Sequence, residues 1–436
     1  MSAAHEASLH PDEKYKAGKM GQKVVTGGLV GFVVLTALSW LLSGSAAGHT
    51  ADGTGHSRFF YGYLIGWTFI LSIALGALLY VLIHHLVKAK WSTSTRRVAE
   101  ILAGTFPIIA IGGLVIIIPL LAGRDDIYWW ANKGFDHAEH VSASKHTWLS
   151  PAFFAVRYVI YFAAWIGLAR YFTVRSRKQD ETGDLALSKQ MQFFSAPAVI
   201  IFALTICYAA FDFLMTLAPQ WWSTIYGVNY FGGAMIAGYA SIALLSMILQ
   251  RTGRLQRSIT TEHYHDLGKM VFAFTFFWAY TAFSQFMLIW YANVAEETVF
   301  YNYRMFGEGW KWVSIVLTFG QWLIPFVLLM SRWSKRILPL FAVFCVWQLC
   351  FHWLDLYWNV MPNYHWGAEA HGAAHLVTGP LTGPVGENNV NFSPVDITTW
   401  FALIALFIAG IGRGLKGNLI PVKDPNLGAS VAHENY

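Results

Sequence analysis

Charge is scarce in this sequence: Asp, Glu, Lys and Arg together make up 12% of its 436 residues. Soluble domains carry about 25%, so too few charged side chains are present to solvate the surface of a chain this long. Cysteine is scarcer still, with three residues, Cys207, Cys345 and Cys350, each inside an apolar run. No Cys-x-x-Cys spacing occurs, which excludes a cysteine-held iron–sulfur cluster or structural zinc; the thiols read as small hydrophobes. What the chain has instead is 56% hydrophobic residues and 17% aromatics, with 20 Trp, 20 Tyr and 32 Phe. Trp and Tyr favour a boundary that is dry on one side and wet on the other. The composition is that of an all-α integral membrane protein.

Apolar runs long enough to cross roughly 30 Å of hydrocarbon recur ten times. Their cores are Lys23–Leu42, Phe59–Leu86, Val98–Leu121, Pro151–Tyr171, Phe193–Leu217, Tyr226–Leu249, Lys269–Asn293, Trp310–Met330, Ile337–Met361 and Ile397–Leu415. The first core is too long for the apolar region of a cleaved signal and follows Asp12 and Glu13, so it is expected to remain as a span. Bases cluster in alternate connections: Lys14, Lys16, Lys19 and Lys23; Lys88, Lys90, Arg96 and Arg97; Arg175, Arg177, Lys178 and Lys189; Arg251, Arg254 and Arg257; Arg332, Lys335 and Arg336; Arg413, Lys416 and Lys423. The other connections hold only Arg58, then Arg124, Lys133 and Lys145, then Arg304, and the stretch from Pro362 to Asp396 holds none. By the positive-inside rule both termini are cytoplasmic, as an even number of spans requires. Spread this way, the net charge of +6 marks topology and not a nucleic-acid partner.

Helix five ends Cys207-Tyr-Ala-Ala-Phe-Asp212-Phe-Leu-Met-Thr-Leu-Ala-Pro219, and helix nine ends Cys350-Phe-His-Trp-Leu-Asp355-Leu-Tyr-Trp-Asn-Val-Met-Pro362. Cys, Asp and Pro keep one spacing. Four spans separate the two, so each closes a four-helix unit, and an even offset makes the repeats parallel. The organisation expected is a tail over 1–22, a flanking span over 23–43, and bundles over 59–218 (helices two to five) and 226–362 (helices six to nine). An outer, periplasmic loop over 363–396, a second flanking span over 397–415 and a tail over 416–436 complete it.

An ionisable residue near the bilayer centre costs about 2.5–3.5 kcal/mol on insertion scales, so each needs a reason. Arg157, Asp212, His352 and Asp355 all fall roughly 9–15 Å inside the outer helix ends, counting about 1.5 Å per residue. His352 and Asp355, three apart, are expected on one helix face. Tyr158, Tyr161, Tyr208, Gln285 and Asn293 sit at compatible levels, and His84, His85 and Glu100 offer an entrance at the cytoplasmic end. Two chemistries suit such a set: a proton-transfer chain, or the polar wall of a quinone pocket, where Asp, His and Tyr accept hydrogen bonds from quinol hydroxyls and carry protons away. The plainer alternative is structural, with Arg157 paired to Asp212 and Asp355 bonded to His352 or a Tyr hydroxyl. The pair His84–His85, next to Lys88 and Lys90, is expected to face lipid headgroups. A membrane haem needs facing histidines at matched depth, and of 16 His only His352 lies well inside, so no haem is expected. His365, His371 and His375 sit in a Gly/Ala-rich loop that imposes no metal geometry, and no metal site is assigned to them.

Three stretches resemble a known family. The exit of helix two, Ala74-Leu-Gly-Ala-Leu-Leu-Tyr-Val-Leu-Ile-His-His, continues into Leu-Val-Lys-Ala-Lys-Trp-Ser-Thr-Ser-Thr-Arg-Arg-Val-Ala-Glu100. Helix seven reads Trp278-Ala-Tyr-Thr-Ala-Phe-Ser-Gln-Phe-Met-Leu-Ile-Trp-Tyr-Ala-Asn-Val-Ala-Glu-Glu-Thr298, and the third resemblance is carried by the two Asp-containing segments Phe211–Gly227 and Leu354–Pro362. Together they resemble a membrane subunit of alternative complex III, the bacterial quinol:cytochrome c oxidoreductase, within the polysulfide-reductase-type membrane subunits. The similarity runs from helix two to helix nine and is greater to the shorter F-type subunit than to the C type. The resemblance implies two four-helix bundles with flanking helices, and a chain that itself binds no haem or cluster. Its implied partners are a sister polysulfide-reductase-type subunit, an iron–sulfur subunit, and multihaem and monohaem cytochrome c subunits. It also implies residence in a bacterial inner membrane. In the family the quinol site is placed in the C-type subunit, and a proton-conducting or structural role is proposed for the F type, so menaquinol or another quinol is an open possibility here. Asp212 and Asp355 match the family's helix-end Asp positions; Arg157 and His352 are singled out by depth alone. Where the family usually has a further Asp before Pro219, this chain has Ala218. Two other readings stay open: a quinone-binding anchor of a periplasmic polysulfide- or sulfoxide-type reductase, and a secondary transporter, for which inverted repeats and broken midplane helices would be expected.

Overall fold

In hydrocarbon every backbone N–H and C=O must be satisfied within the protein, which leaves a chain with ten apolar runs no economical answer but helices. A computed structural model describes residues 13–45, 56–131, 143–219, 221–306, 309–364, 390 and 392–435. Among these, ten helices are long and apolar enough to cross a membrane: α1 Met20–Gly44, α2 Ser57–Leu86, α3 Thr93–Leu121, α4 Pro151–Thr182, α5 Leu185–Leu217, α6 Tyr226–Arg251, α7 Thr261–Ala292, α8 Trp310–Met330, α9 Leu338–Tyr364 and α10 Pro394–Gly414. No strand is present among the described residues beyond two isolated bridges, Lys14 with Arg254 and Lys16 with Asn418. The chain is an all-α, multi-pass membrane protein. The histidines His365, His371 and His375 lie outside the described residues, as does most of the 363–396 loop.

Helices α2 to α5 pack as one group and α6 to α9 as another, and the two meet where α2 crosses α6. That crossing runs through Gly76 and Gly238. A Cβ on Gly76 would sit 2.1 Å from the Ala234 carbonyl oxygen, and one on Gly238 would sit 2.6 Å from the Gly76 carbonyl carbon. Small residues at such a crossing let backbones touch, which is how membrane helices associate when lipid is as apolar as their side chains. The apolar window of α2 is fully buried. The flanking helices α1 and α10 pack on each other, and α10 leans on α2. A buried pair ties it there: Arg58 Nε to Asp396 Oδ1 at 2.9 Å, with Arg58 Nη2 at 2.5 Å from Oδ2.

Two helices depart from regular α geometry. α3 breaks between Ala103 and Phe106, where Pro107 has no N–H to give the Ala103 carbonyl and its ring crowds that oxygen. α8 carries a π turn at Thr318–Leu323; the ring of Phe351 fills the space a Cβ on Gly320 would need, and Trp347 Nε1 donates to the Gly320 carbonyl at 2.7 Å.

Both described chain ends lie on one face. Leu419 N donates to the Tyr15 carbonyl at 2.7 Å, Arg254 Nε donates to the Lys16 carbonyl at 3.2 Å, and Ser258 Oγ donates to Glu13 at 2.7 Å. This is the face where the basic connections gather. The helices run beyond their apolar cores here: α4 continues past Tyr171 to Thr182, α5 starts at Leu185 and not Phe193, and α7 starts at Thr261 and not Lys269. The added turns of α4 and α7 carry charges that pair with other segments, Asp180 with Arg97 and Glu262 with Arg336, so hydropathy alone stops short of them.

Candidate functional site

Near the far end of the first bundle, α4 presents Arg157 and Tyr161 four residues apart, hence on one face. Both reach Asp212 of α5. Arg157 grips the carboxylate with two bonds, Nε to Oδ2 at 2.7 Å and Nη2 to Oδ1 at 2.9 Å. Tyr161 donates its hydroxyl to Oδ2 at 2.6 Å, and Trp148 Nε1 donates to Oδ1 at 3.0 Å. The guanidinium carbon also sits 4.2 Å from the Trp148 ring and 4.5 Å from that of Phe153. Asp212 is 1% exposed. Its lone pairs are taken and its charge is neutralised; nothing further fits.

The other two tyrosines expected here point elsewhere. Tyr158, one residue from Arg157, faces α3 and donates to the Ala110 carbonyl at 2.5 Å. Tyr208 is 45% exposed on the lipid side of α5.

Asp355 of α9 occupies the same place in the repeat and has a different setting. It is buried and accepts one bond from Trp278 Nε1 at 3.2 Å and one from Asn359 Nδ2 at 3.2 Å. Among the described residues it has no ion-pair partner. In front of it lies a cavity of about 460 Å³, lined by Asp355, Asn359, Gln285, Ser314 and Thr318 against a wall of aromatic rings that includes Trp278, Phe286 and Trp358. Thr318 is also the first residue of the π turn in α8.

A roof closes the cavity at the far face. The chain between α7 and α8 folds back over the bundle as Ala295–Tyr301 and Asn302–Phe306, with Val299, Phe300, Tyr301 and Arg304 all buried. Gln285 Nε2 donates to the Tyr301 hydroxyl at 2.9 Å, and Phe300 stacks on Trp221 with centroids 3.9 Å apart. Arg304 clamps the roof to α9, donating to the carbonyls of Trp358 at 3.1 Å and Asn359 at 2.9 Å. A cation on the last carbonyls of a helix is favoured by the helix dipole. Burial pushes the Arg304 pKa down to about 9, against the pull of Tyr226 and Tyr301, so at neutral pH it stays charged.

His352 does not share the face of Asp355. Three residues are about 300° around a helix axis, so the two side chains diverge by about 60°. His352 turns toward the other bundle, with Nε2 2.9 Å from the Ser72 hydroxyl, beneath Gly233, whose missing Cβ leaves room for the ring. Arg157 and Asp212 are therefore joined, while His352 and Asp355 each stand alone. The four residues expected at one depth do not form a single chain.

At the basic face, His84 and His85 are buried at the end of α2 and do not face headgroups. The turns added to α3 and α4 and the tail cover them. His84 Nδ1 lies 2.7 Å from the Tyr80 carbonyl, and the His85 ring lies 5.4 Å from Phe172. Beside them Arg97 bridges Glu100 at 3.3 Å and Asp180 at 2.8 Å, and Arg96 pairs with Asp424 of the tail. Both Glu100 carboxylate oxygens and His85 Nε2 are buried without a hydrogen bond, the condition in which ordered water is usually held. Between this cluster and the level of Ser72 and His352, α2 runs Ile73-Ala-Leu-Gly-Ala-Leu-Leu79, apolar throughout. That layer is dry.

Sequence reasoning did not single out Trp278, Asn359, Ser314 or Arg304. Among the described residues no three metal-ligating side chains converge. No family model matches this chain, and no curated protein matches it.

Proposed function

We propose that this chain is the membrane subunit of a respiratory quinol:cytochrome c oxidoreductase of the alternative complex III type, seated in a bacterial inner membrane with both termini in the cytoplasm. The second bundle serves as its proton-handling half. One observation carries the reading: Asp355 is a buried carboxylate with no cation beside it among the described residues, at the wall of a cavity, while its repeat partner Asp212 is paired with Arg157. A carboxylate in that position is retained at a cost in stability, and an exchangeable proton is the function such a cost serves. The buried Glu100 and His85 give protons a place to gather at the basic face. The sister subunit, the iron–sulfur subunit and the cytochrome c subunits would supply the redox centres.

The test is purification of the intact assembly through a tag on this chain. Iron–sulfur and multihaem cytochrome c subunits are expected to co-purify, with quinol-dependent reduction of cytochrome c. Isolation with a molybdenum-type reductase, or as a lone chain that accumulates solute in vesicles, would replace this reading by one of the alternatives.

A further inference from the structure

We infer that the basic face carries a site for the phosphate of an anionic phospholipid, built by Tyr171 and Arg175 of α4 with Lys178 and Lys189 beside them. The site does not depend on the function proposed above.

Arg96, Arg97, Arg177 and Arg336 of this face give N–H groups to Asp424, Asp180, the Gly414 carbonyl and Glu262. Arg175 differs. It is half-buried, with its guanidinium carbon 3.5 Å from the centre of the Tyr171 ring, and it has no ion pair or hydrogen bond to a described residue. Stacking on a ring fixes the plane of a guanidinium and satisfies none of its five N–H donors. Arg175 Nε and the Tyr171 hydroxyl, on successive turns of one helix face, are both buried without a partner. Buried donors are rarely left unsatisfied, and two together mark a place for acceptors from outside the chain. The nearby acids are committed or turned away. Asp180 pairs with Arg97, and Asp184 accepts from Ala186 N at the start of α5 at 2.8 Å. Glu181, six residues beyond Arg175, is turned about 120° from it around the helix.

The surroundings specify a lipid. Tyr171 ends the apolar core of α4, and Arg175 lies about 6 Å further out, at the level of headgroups. Lys178, one turn on from Arg175, and Lys189, which shares a face of α5 with Phe193, are exposed and have no ion pair among the described residues. Towards the bilayer, Phe194 packs on Tyr171 with centroids 5.0 Å apart. Beside it Phe193, Ile200 and Leu204 of α5 are 74%, 64% and 56% exposed, spaced to form one strip leading inwards. An acyl chain lies along that strip while its phosphate meets Arg175, whose forked donors match phosphate oxygens. A lipid of net negative charge compensates the three cations, whereas a zwitterionic one brings a fourth among them.

The test titrates the full chain, purified in mild detergent, with phosphatidylglycerol and with phosphatidylcholine of the same acyl chains, and counts bound lipid by native mass spectrometry. Wild type is expected to bind the first phosphatidylglycerol about fivefold more tightly than phosphatidylcholine. Arg175→Gln is expected to bring that ratio below about twofold at an unchanged melting temperature. Arg170→Gln removes the same charge from an exposed position on the same helix, turned about 140° away, and is expected to keep the ratio. Should Arg175→Gln not fold, Tyr171→Phe removes only the unbonded hydroxyl and is expected to lower the ratio about twofold. A wild-type ratio near one, an equal fall in Arg170→Gln and Arg175→Gln, or an unchanged ratio in a folded Arg175→Gln or Tyr171→Phe would overturn the site. Displacement of the lipid by millimolar inorganic phosphate would also overturn it, since a free anion would then suffice.

Discussion

Moving a carboxylate and a guanidinium out of water costs several kcal/mol per ion, and their attraction offsets this only when the geometry is good and remaining lone pairs are filled. Arg157 and Asp212 meet that condition, with two bonds between them and two more from Tyr161 and Trp148. Arg157→Met is accordingly expected to lower stability by about 3–5 kcal/mol, because it strands Asp212. Arg157→Met/Asp212→Leu should recover most of that loss, measured by thermal unfolding in detergent; equal losses in single and double variants would show that the pair is not the unit. Asp355 has no charged partner to strand among the described residues, and an Asn oxygen still accepts from Trp278, so Asp355→Asn is expected to change stability by less than about 1 kcal/mol and to act on function instead. The helix that carries each of the four residues was readable from the sequence, since ten apolar runs set the spans. Azimuth was not: a 60° divergence sends His352 to Ser72 and Asp355 to Trp278, and only the packed neighbours tell one direction from the other.

At the scale of elements, the seam between bundles depends on two glycines whose backbones touch. Gly238→Val puts a branched side chain where a Cβ alone already meets Gly76 at 2.6 Å. A loss of at least about 1–3 kcal/mol is expected, seen as a lower melting temperature with retained helical circular dichroism; an unaffected melting temperature would place the seam elsewhere. The roof over the cavity hangs on Arg304, which was counted from sequence as a lone base in a sparse connection and is in fact buried against the end of α9. Arg304→Gln keeps two donors but gives up the charge. It is expected to raise proteolytic cleavage within 295–306 severalfold while leaving the ten spans intact. All ten apolar cores were legible, because a run of that length has few other fates. The charged extensions at Thr93, Thr182 and Thr261 were not, because they are held by charges from separate segments meeting, Arg97 with Asp180, Arg96 with Asp424 and Glu262 with Arg336.

For the whole molecule, the parallel repeat gives two bundles of one design with opposite outcomes at their carboxylates, one closed by its own side chains and one open. Both described chain ends share a face, and the proposal sets that face in the cytoplasm. Single cysteines placed at Lys88 or Lys416 are expected to resist a membrane-impermeant thiol reagent in intact cells, and one placed at Arg124 is expected to react; the opposite pattern would invert the orientation. The central claim is that the open bundle handles protons and the closed one supports the fold. It is tested most directly by proton release per quinol oxidised, measured with the purified complex in sealed vesicles. Asp355→Asn is expected to assemble normally and lose at least tenfold in quinol-dependent proton release, whereas Asp212→Asn that still assembles keeps it. Full, coupled proton release from a normally assembled Asp355→Asn complex would contradict the account.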